Sequence, residues 1–359
     1  MLKKIGIMTA GGDCPGLNAA IKAVVMSAHN SGVEVLGVID GYRGFVEGWY
    51  KELKPSDVEN IEHLGGTILG SSNKECPFYY LVDKINMKYA DKTDEAINKI
   101  REQGVEGLIV IGGDGTLDSA RVISERGMPT IGIPKTIDND MFASNPTIGF
   151  DSGVKNVVEA VSKVRTTADS HRRVIVVEIM GRTSGYLTLH GGFAAGADII
   201  LLPEQDYDLD GVCEKIKEVT ASRRSAIVAV AESAKELGKS ETVAKLINDS
   251  FEKKRYGGIA EKLAAEIEEK TGIECRHVAL GHVQRGGTPT HADIITASMQ
   301  GNYAYELLVN GEYGYIVGVD GEEMTKTEFP KEEVKARLVD MKTNRLVKTA
   351  KAVGVYFGE

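Results

Sequence analysis

Three turns hold the residue types and spacings that could do chemistry. Gly11-Gly12-Asp13-Cys14-Pro15-Gly16-Leu17-Asn18 follows a short apolar run and opens a helical pattern. Glycines there let backbone N–H groups approach an anion, and a helix N-terminus adds partial positive charge. Gly112-Gly113-Asp114-Gly115-Thr116 repeats the arrangement. It puts Asp114 at the carboxyl end of a predicted strand, where open α/β sheets bind ligands. A carboxylate beside a phosphate cradle suits Mg²⁺, which takes few protein oxygens and completes its shell from phosphate and water. A carboxylate that caps the next helix would account for the same residue. The following strand runs into Pro134-Lys135-Thr136-Ile137-Asp138-Asn139-Asp140, so two successive strands deliver Asp114 and Asp138 to one sheet edge. One carboxylate can hold metal while the other takes a proton from an attacking hydroxyl, the division of labour that phosphoryl transfer needs. Asx turns account for Asn139 and Asp140 but leave Lys135 unexplained. Neither a Walker A loop nor a GxGxxG fingerprint occurs.

The elements that must position these turns are legible as alternation. Strand-like runs are Lys4–Met8, Val35–Ile39, Leu108–Ile111, Thr130–Ile133, Val174–Glu178, Ile199–Leu202, Ala226–Val230 and Val278–Leu280. Helical patterns lie between them, at Leu17–Ala28, Thr93–Gln103, Ser152–Val164, Leu209–Thr220 and Ala260–Lys270. Strands that are apolar along their whole length imply burial on both faces, and so a parallel sheet covered by helices. The 359 residues suggest about two domains. The stretch Asp138–Thr147, rich in Asn, Asp and Pro, marks the first boundary, and the charged Asp320–Glu333 is expected to wrap the outside.

Composition removes several function classes. Lys+Arg of 43 against Asp+Glu of 52 gives a net charge of −9, which argues against nucleic acid or an anionic membrane as partner. It leaves room for a local basic pocket. Cys14, Cys76, Cys213 and Cys275 lie far apart without a CxxC pair, the pattern of a reducing compartment rather than of disulfides or zinc. Lys4–Met8 reads as a strand rather than a signal-peptide core, because Asp13 and Pro15 interrupt the apolar stretch. No apolar run approaches the ~18 residues of a membrane span. The expectation is a cytoplasmic globular protein.

GGDCPGLN, IGGDGT and PKTIDND, in this order and spacing, resemble the 6-phosphofructokinase family, nearest in pattern to its mixed ATP/pyrophosphate group. The likeness continues through Ser170–Arg173, Met180-Gly181-Arg182, Ala231-Glu232 and Leu280–Gly287, spanning roughly positions 4 to 318. NAD-kinase-like and lipid-kinase-like enzymes share only the GGDGT turn. The resemblance implies two doubly wound, parallel-sheet (Rossmann-like) α/β domains with the active site in the cleft between them. Their expected extents are 1–138 with part of 250–310 for the phosphoryl donor, 139–250 with 271–290 for the sugar phosphate, and 319–359 as a C-terminal wrap. The implied reaction carries a phosphoryl group from ATP to the 1-hydroxyl of fructose 6-phosphate.

Carried over residue by residue, the resemblance makes Asp138 the general base, with Thr136 near the transferring group and Arg182 stabilising its charge. Asp114 would bind Mg²⁺, while Gly11 and Gly113–Thr116, Gly115 included, cradle donor phosphates. Tyr42 would lie near the nucleotide base. Ile137, Met180, Gly181 and Glu232 would line the sugar, and Arg173, Arg276, His282 and Arg285 would grip its 6-phosphate. A dianionic phosphate independently calls for arginine forks. The residues matching Arg173 and Arg276 reach the site from a neighbouring subunit in the family, which implies a homo-oligomer, dimer or tetramer.

Two positions disagree about the donor. Pyrophosphate-using relatives typically carry Asp where Gly115 stands, filling the place of the ATP α-phosphate. Lys135 matches the lysine of those same enzymes, and it could offset charge on the leaving phosphate with either donor. The Asp excludes nucleotide and the lysine does not, so ATP is expected and a pyrophosphate-dependent phosphotransferase is the alternative. Asn73 replaces a customary arginine, with Lys74 beside it as a point charge. That substitution opens a second alternative, a weakly active member that binds sugar phosphate in a regulatory role. Arg165, Asp198 and Arg223 match the bacterial allosteric site, but Lys22 and Met26 stand where arginines are expected, so ADP regulation should be weak or absent. Cys14, at a helix N-terminus, is a candidate for redox sensitivity, against the plain reading of a small inert residue.

Overall fold

The computed structural model describes residues 2–246, 254–331 and 336–359. Strand β1 (Lys4–Thr9) leads through α1 (Leu17–Asn30) to β2 (Glu34–Val38), then through α2 (Gly41–Glu47) to β3 (Tyr50–Leu53). A hairpin of β4 (Tyr80–Asp83) and β5 (Lys88–Ala90) precedes α3 (Thr93–Glu102), β6 (Gly107–Gly112), α4 (Asp114–Glu125) and β7 (Thr130–Pro134). There follow α5 (Phe150–His171), β8 (Val174–Ile179), α6 (Tyr186–Ala194), β9 (Ile199–Leu201), α7 (Leu209–Ser222) and β10 (Ala226–Ala231). A second hairpin, β11 (Val243–Leu246) and β12 (Lys254–Tyr256), leads to α8 (Ile259–Thr271) and β13 (Cys275–Ala279). The chain closes with α9 (His291–Val309), β14 (Tyr315–Asp320), β15 (Glu323–Glu328) and α10 (Arg345–Ala352).

The chain divides into two compact units. The first comprises Met1–Thr136, Met141–Ser152 and Arg285–Lys335. Its seven-stranded sheet has the order β15-β14-β7-β6-β1-β2-β3. β1 and β6 are parallel neighbours, but β1 connects onward to β2 on one side and β6 to β7 on the other. That reversal is a topological switch point, where the loops leaving the carboxyl ends of two strands part and open a crevice. The two glycine turns are those loops. The core beneath is apolar, from Met8, Val38 and Phe45 through Leu108, Val110 and Ile123 to Phe329.

The second unit comprises Ile137–Asp140, Gly153–Gln284 and Ala336–Glu359. Its four-stranded sheet, β13-β8-β10-β9, is wholly parallel. β10 reads Ala-Ile-Val-Ala-Val-Ala and is buried at every position, as a strand covered on both faces must be. Val176, Val228, Ile216 and Leu263 belong to its core.

Several sequence expectations are corrected. The stretch expected to wrap irregularly contains β15, paired antiparallel with β14 at the sheet edge. Its sequence Glu-Met-Thr-Lys-Thr-Glu carries too little apolar alternation to announce a strand, as befits an exposed edge. Residues 319–359 are not one wrap: β15 belongs to the first unit and α10 to the second. The first unit also takes in Met141–Ser152 and Arg285–Lys335. The strand expected at Val278–Leu280 begins at Cys275. Among the described residues no helix is long and apolar enough to cross a membrane.

Candidate active site

In the first unit, three elements converge on Gly11. Its φ of +81° admits glycine readily, and a Cβ there would stand 3.1 Å from Thr116 Oγ1 and 3.5 Å from Lys135 Nζ. Its N–H donates to the Ser72 carbonyl at 2.9 Å, and its carbonyl accepts from Ser71 Oγ at 2.5 Å. Lys135 is 3% exposed and its ammonium donates to the Gly12 carbonyl. β7 brings it there because Pro134 pairs with Gly112 in register, and the Lys135 N–H continues the ladder to the Gly112 carbonyl at 3.0 Å. Arg285, which the resemblance assigns to the sugar 6-phosphate, lies on this turn: it donates to the Asp13 carbonyl at 3.3 Å. Two cations therefore attend one glycine turn, an arrangement suited to an anion.

Asp114 is the first residue of α4 and is exposed, while Gly113 occupies the N-cap. Asp114 therefore lies in the first turn of α4 and not at its N-cap. A Cβ on neighbouring Gly115 would meet nothing within 4 Å, so the space above this turn is open. Tyr42 does not offer its ring to a base. It is 2% exposed, packs edge-on against Phe45, and donates its hydroxyl to the Thr116 carbonyl at 2.6 Å; it supports the turn from beneath. Asn73 and Lys74 are exposed on the loop that carries Ser71 and Ser72. Cys14 is fully buried, and burial pushes its thiol up to about 12 despite the opposing pull of Lys135. Its burial favours the small inert residue over a redox-sensitive thiol.

In the second unit, Asp138 is 3% exposed and the Arg182 guanidinium lies 4.0 Å from its carboxylate. Arg182 sits at the carboxyl end of β8 with φ +51°, a left-handed conformation that non-glycine residues adopt only when neighbours impose it. Glu232, just past β10, accepts its N–H at 2.9 Å and that of Gly181 at 3.3 Å, and Ser233 donates to its carbonyl. Burial raises the pKa of the Glu232 carboxyl, and the nearby Asp138 charge pushes the same way. Gln284, fully buried, accepts the Met180 N–H at 3.2 Å and donates to the Gly281 carbonyl at 3.0 Å. It ties the end of β8 to the turn that presents the exposed His282. Neither Ser233 nor Gln284 is among the residues expected from the sequence, although Gln284 lies inside Leu280–Gly287 and Ser233 directly follows Ala231-Glu232. Ile137 is a fully buried packing residue against Gly153.

Arg173 and Arg276 stand elsewhere. Arg173 immediately precedes β8, and Arg276 is paired with Ile175 near the start of β13. Both bind Glu274, at 3.2 and 2.6 Å. Met180, Arg182, Glu232 and His282 lie at the opposite, carboxyl end of the same parallel sheet. Six residues of β8 intervene, a separation of roughly 20 Å at ~3.3 Å per residue. Within one chain these two arginines cannot grip the same small phosphate as His282.

A family model described as phosphofructokinase matches residues 4–308. The chain is 42% identical to ATP-dependent 6-phosphofructokinase 2 of Clostridium perfringens (strain 13 / Type A), over 100% of this chain and 99% of that protein. It is 40% identical to the pyrophosphate–fructose 6-phosphate 1-phosphotransferase of Amycolatopsis methanolica, over 91% of this chain and 93% of that one. Among solved structures, phosphofructokinase from Saccharomyces cerevisiae matches with a TM-score of 0.78 at 29% identity over 91% of this chain, which spans 45% of the yeast chain. With matched motifs on the turns of two α/β units, a family model over residues 4–308 and a full-length relative at 42% identity, the chain belongs to the phosphofructokinase family.

Proposed function

We propose that this chain transfers the terminal phosphoryl group of ATP to the 1-hydroxyl of D-fructose 6-phosphate, giving fructose 1,6-bisphosphate and ADP in cytoplasmic glycolysis. The observation that carries the chemistry is the buried Asp138 carboxylate with the Arg182 guanidinium 4.0 Å away. Asp138 takes the hydroxyl proton as that oxygen bonds to the phosphorus, and the bond to the departing ADP oxygen breaks. Arg182 stabilises the charge spread over the transferring group, a contribution of about 10²–10³ in rate for one positioned donor. Lys135 and Thr136 attend the phosphates from the end of β7, and Gly11, Gly113 and Thr116 cradle them. Met180, Gly181 and Glu232 shape the sugar pocket, and His282 meets the 6-phosphate. Arg285, placed on the Gly12–Asp13 turn, joins the donor side as well.

Asp114 fits a divalent metal, Mg²⁺: it is an exposed carboxylate beside the open space at Gly115, the donor set of a cation that shares its shell with phosphates and water. The metal, when bound, neutralises phosphate charge.

Arg173 and Arg276, held at the far end of the sheet by Glu274, serve the sugar phosphate of a neighbouring copy in a homo-oligomer. The open space at Gly115 favours ATP. Lys135 on the Gly11–Gly12 turn supports pyrophosphate as the second reading. Initial rates with fructose 6-phosphate and Mg²⁺, ATP against pyrophosphate at matched concentrations, decide between them. Turnover with ATP alone supports the first reading, and turnover with pyrophosphate alone replaces it with the second.

A further inference from the structure

Asp138 and Arg182 are each followed by a turn, and one distant segment holds both turns. Asn139, next to Asp138, has φ +53°, a left-handed turn conformation that asparagine adopts readily. Arg337 holds that turn. Its backbone N–H donates to the Asp140 carbonyl at 2.7 Å, and its guanidinium Nη2 donates to the Asn139 carbonyl at 2.7 Å. The same guanidinium lies 4.9 Å from the centre of the Tyr186 ring, a cation–π distance. The Tyr186 hydroxyl donates to the Leu338 carbonyl at 3.1 Å. Val339 completes the clamp: its N–H and that of Gly185 donate to one oxygen of Glu204, each at 2.8 Å. Three consecutive residues thus bind the turn after Asp138 on one side and the start of α6, just past Arg182, on the other.

We propose that Arg337 is a positioning residue for phosphoryl transfer, holding the Asp138 turn at its working separation from Arg182. The inference rests on the roles proposed above for those two residues. An arginine is suited to the task because its fork and its flat face act together, bonding Asn139 while stacking on Tyr186. A misplacement of about 1 Å in a reacting group can cost ~10² in rate.

The test is a double-mutant cycle. Arg337→Ala should lower kcat by about 10- to 100-fold with the KM for ATP essentially unchanged, and guanidinium ion at millimolar concentration should restore part of the loss. In an Asp138→Asn background the same change should cost little more, because the group it positions is already gone. Arg337→Lys keeps the charge without the fork and should lose an intermediate factor; it replaces Arg337→Ala in the cycle if the alanine variant does not fold by circular dichroism and thermal melting. Unchanged kcat in both folded Arg337 variants, or an equal loss in both backgrounds, overturns the proposal. Wild-type kcat in Asp138→Asn alone would instead overturn the base assignment, so the two failures are distinguishable.

Discussion

Glu232 accepts the backbone N–H of Arg182 at 2.9 Å. A buried carboxylate on one strand end therefore fixes the backbone of the residue whose guanidinium faces Asp138. Burial raises the folded-state pKa of Glu232 above its unfolded value, so the native state binds the extra proton. The associated stability is fully present below the ordinary glutamate value of about 4.3 and is lost as pH rises through the raised folded value. Glu232→Gln keeps one carbonyl acceptor and removes the titration, so denaturant unfolding across a pH series should show a flatter curve than wild type. An identical pH slope in the two proteins would exclude this account.

Gly115→Asp should act on the donor alone. A Cβ at Gly115 has open space around it, so the carboxylate is accommodated without strain and repels the nucleotide phosphates. The KM for ATP should rise by on the order of 10-fold or more, the worth of about 1.4 kcal/mol, while the KM for fructose 6-phosphate stays put. Steady-state kinetics with each substrate varied in turn reads both quantities.

Arg173 and Arg276 predict complementation between chains. Asp138→Ala and Arg173→Ala should each be inactive. Mixed and reassembled, they should recover measurable activity, because some sites then draw an intact Asp138 from one copy and an intact Arg173 from another. A mixture as inactive as its components would place both arginines outside the sugar site.

The effector positions are occupied by internal pairs. Lys22 binds Glu62 at 2.7 Å, and Arg223 binds Asp198 at 2.7 Å. Fructose 6-phosphate saturation should accordingly be hyperbolic and insensitive to ADP. A sigmoidal curve relieved by ADP would contradict this.

All four cysteines are buried, and burial raises each thiol pKa. A thiol reagent at pH 8 should titrate none of them in the native protein and four after denaturation. Rapid native labelling of one thiol, traced to Cys14 by peptide mapping, would restore the redox reading.

Local chemistry was legible in the sequence. The apolar runs of β1, β6, β8 and β10, the glycine turns after β1 and β6, and the proline-lysine-aspartate turn after β7 each announce themselves within a dozen residues, because strand period and turn conformation are local properties. Edge strands such as β15, polar on both faces, carry no such pattern. Tertiary structure alone decided which groups support the chemistry. Glu232 reaches Arg182 across 50 residues of chain and Arg337 reaches Asn139 across 198. Tyr42 went into the core, Arg285 onto the Gly12–Asp13 turn, and Arg173 and Arg276 to the far end of the sheet. Strand order and the direction of each parallel strand determine such placements. Both are set by how apolar faces pack over long sequence separations, and no stretch of neighbouring residues encodes them.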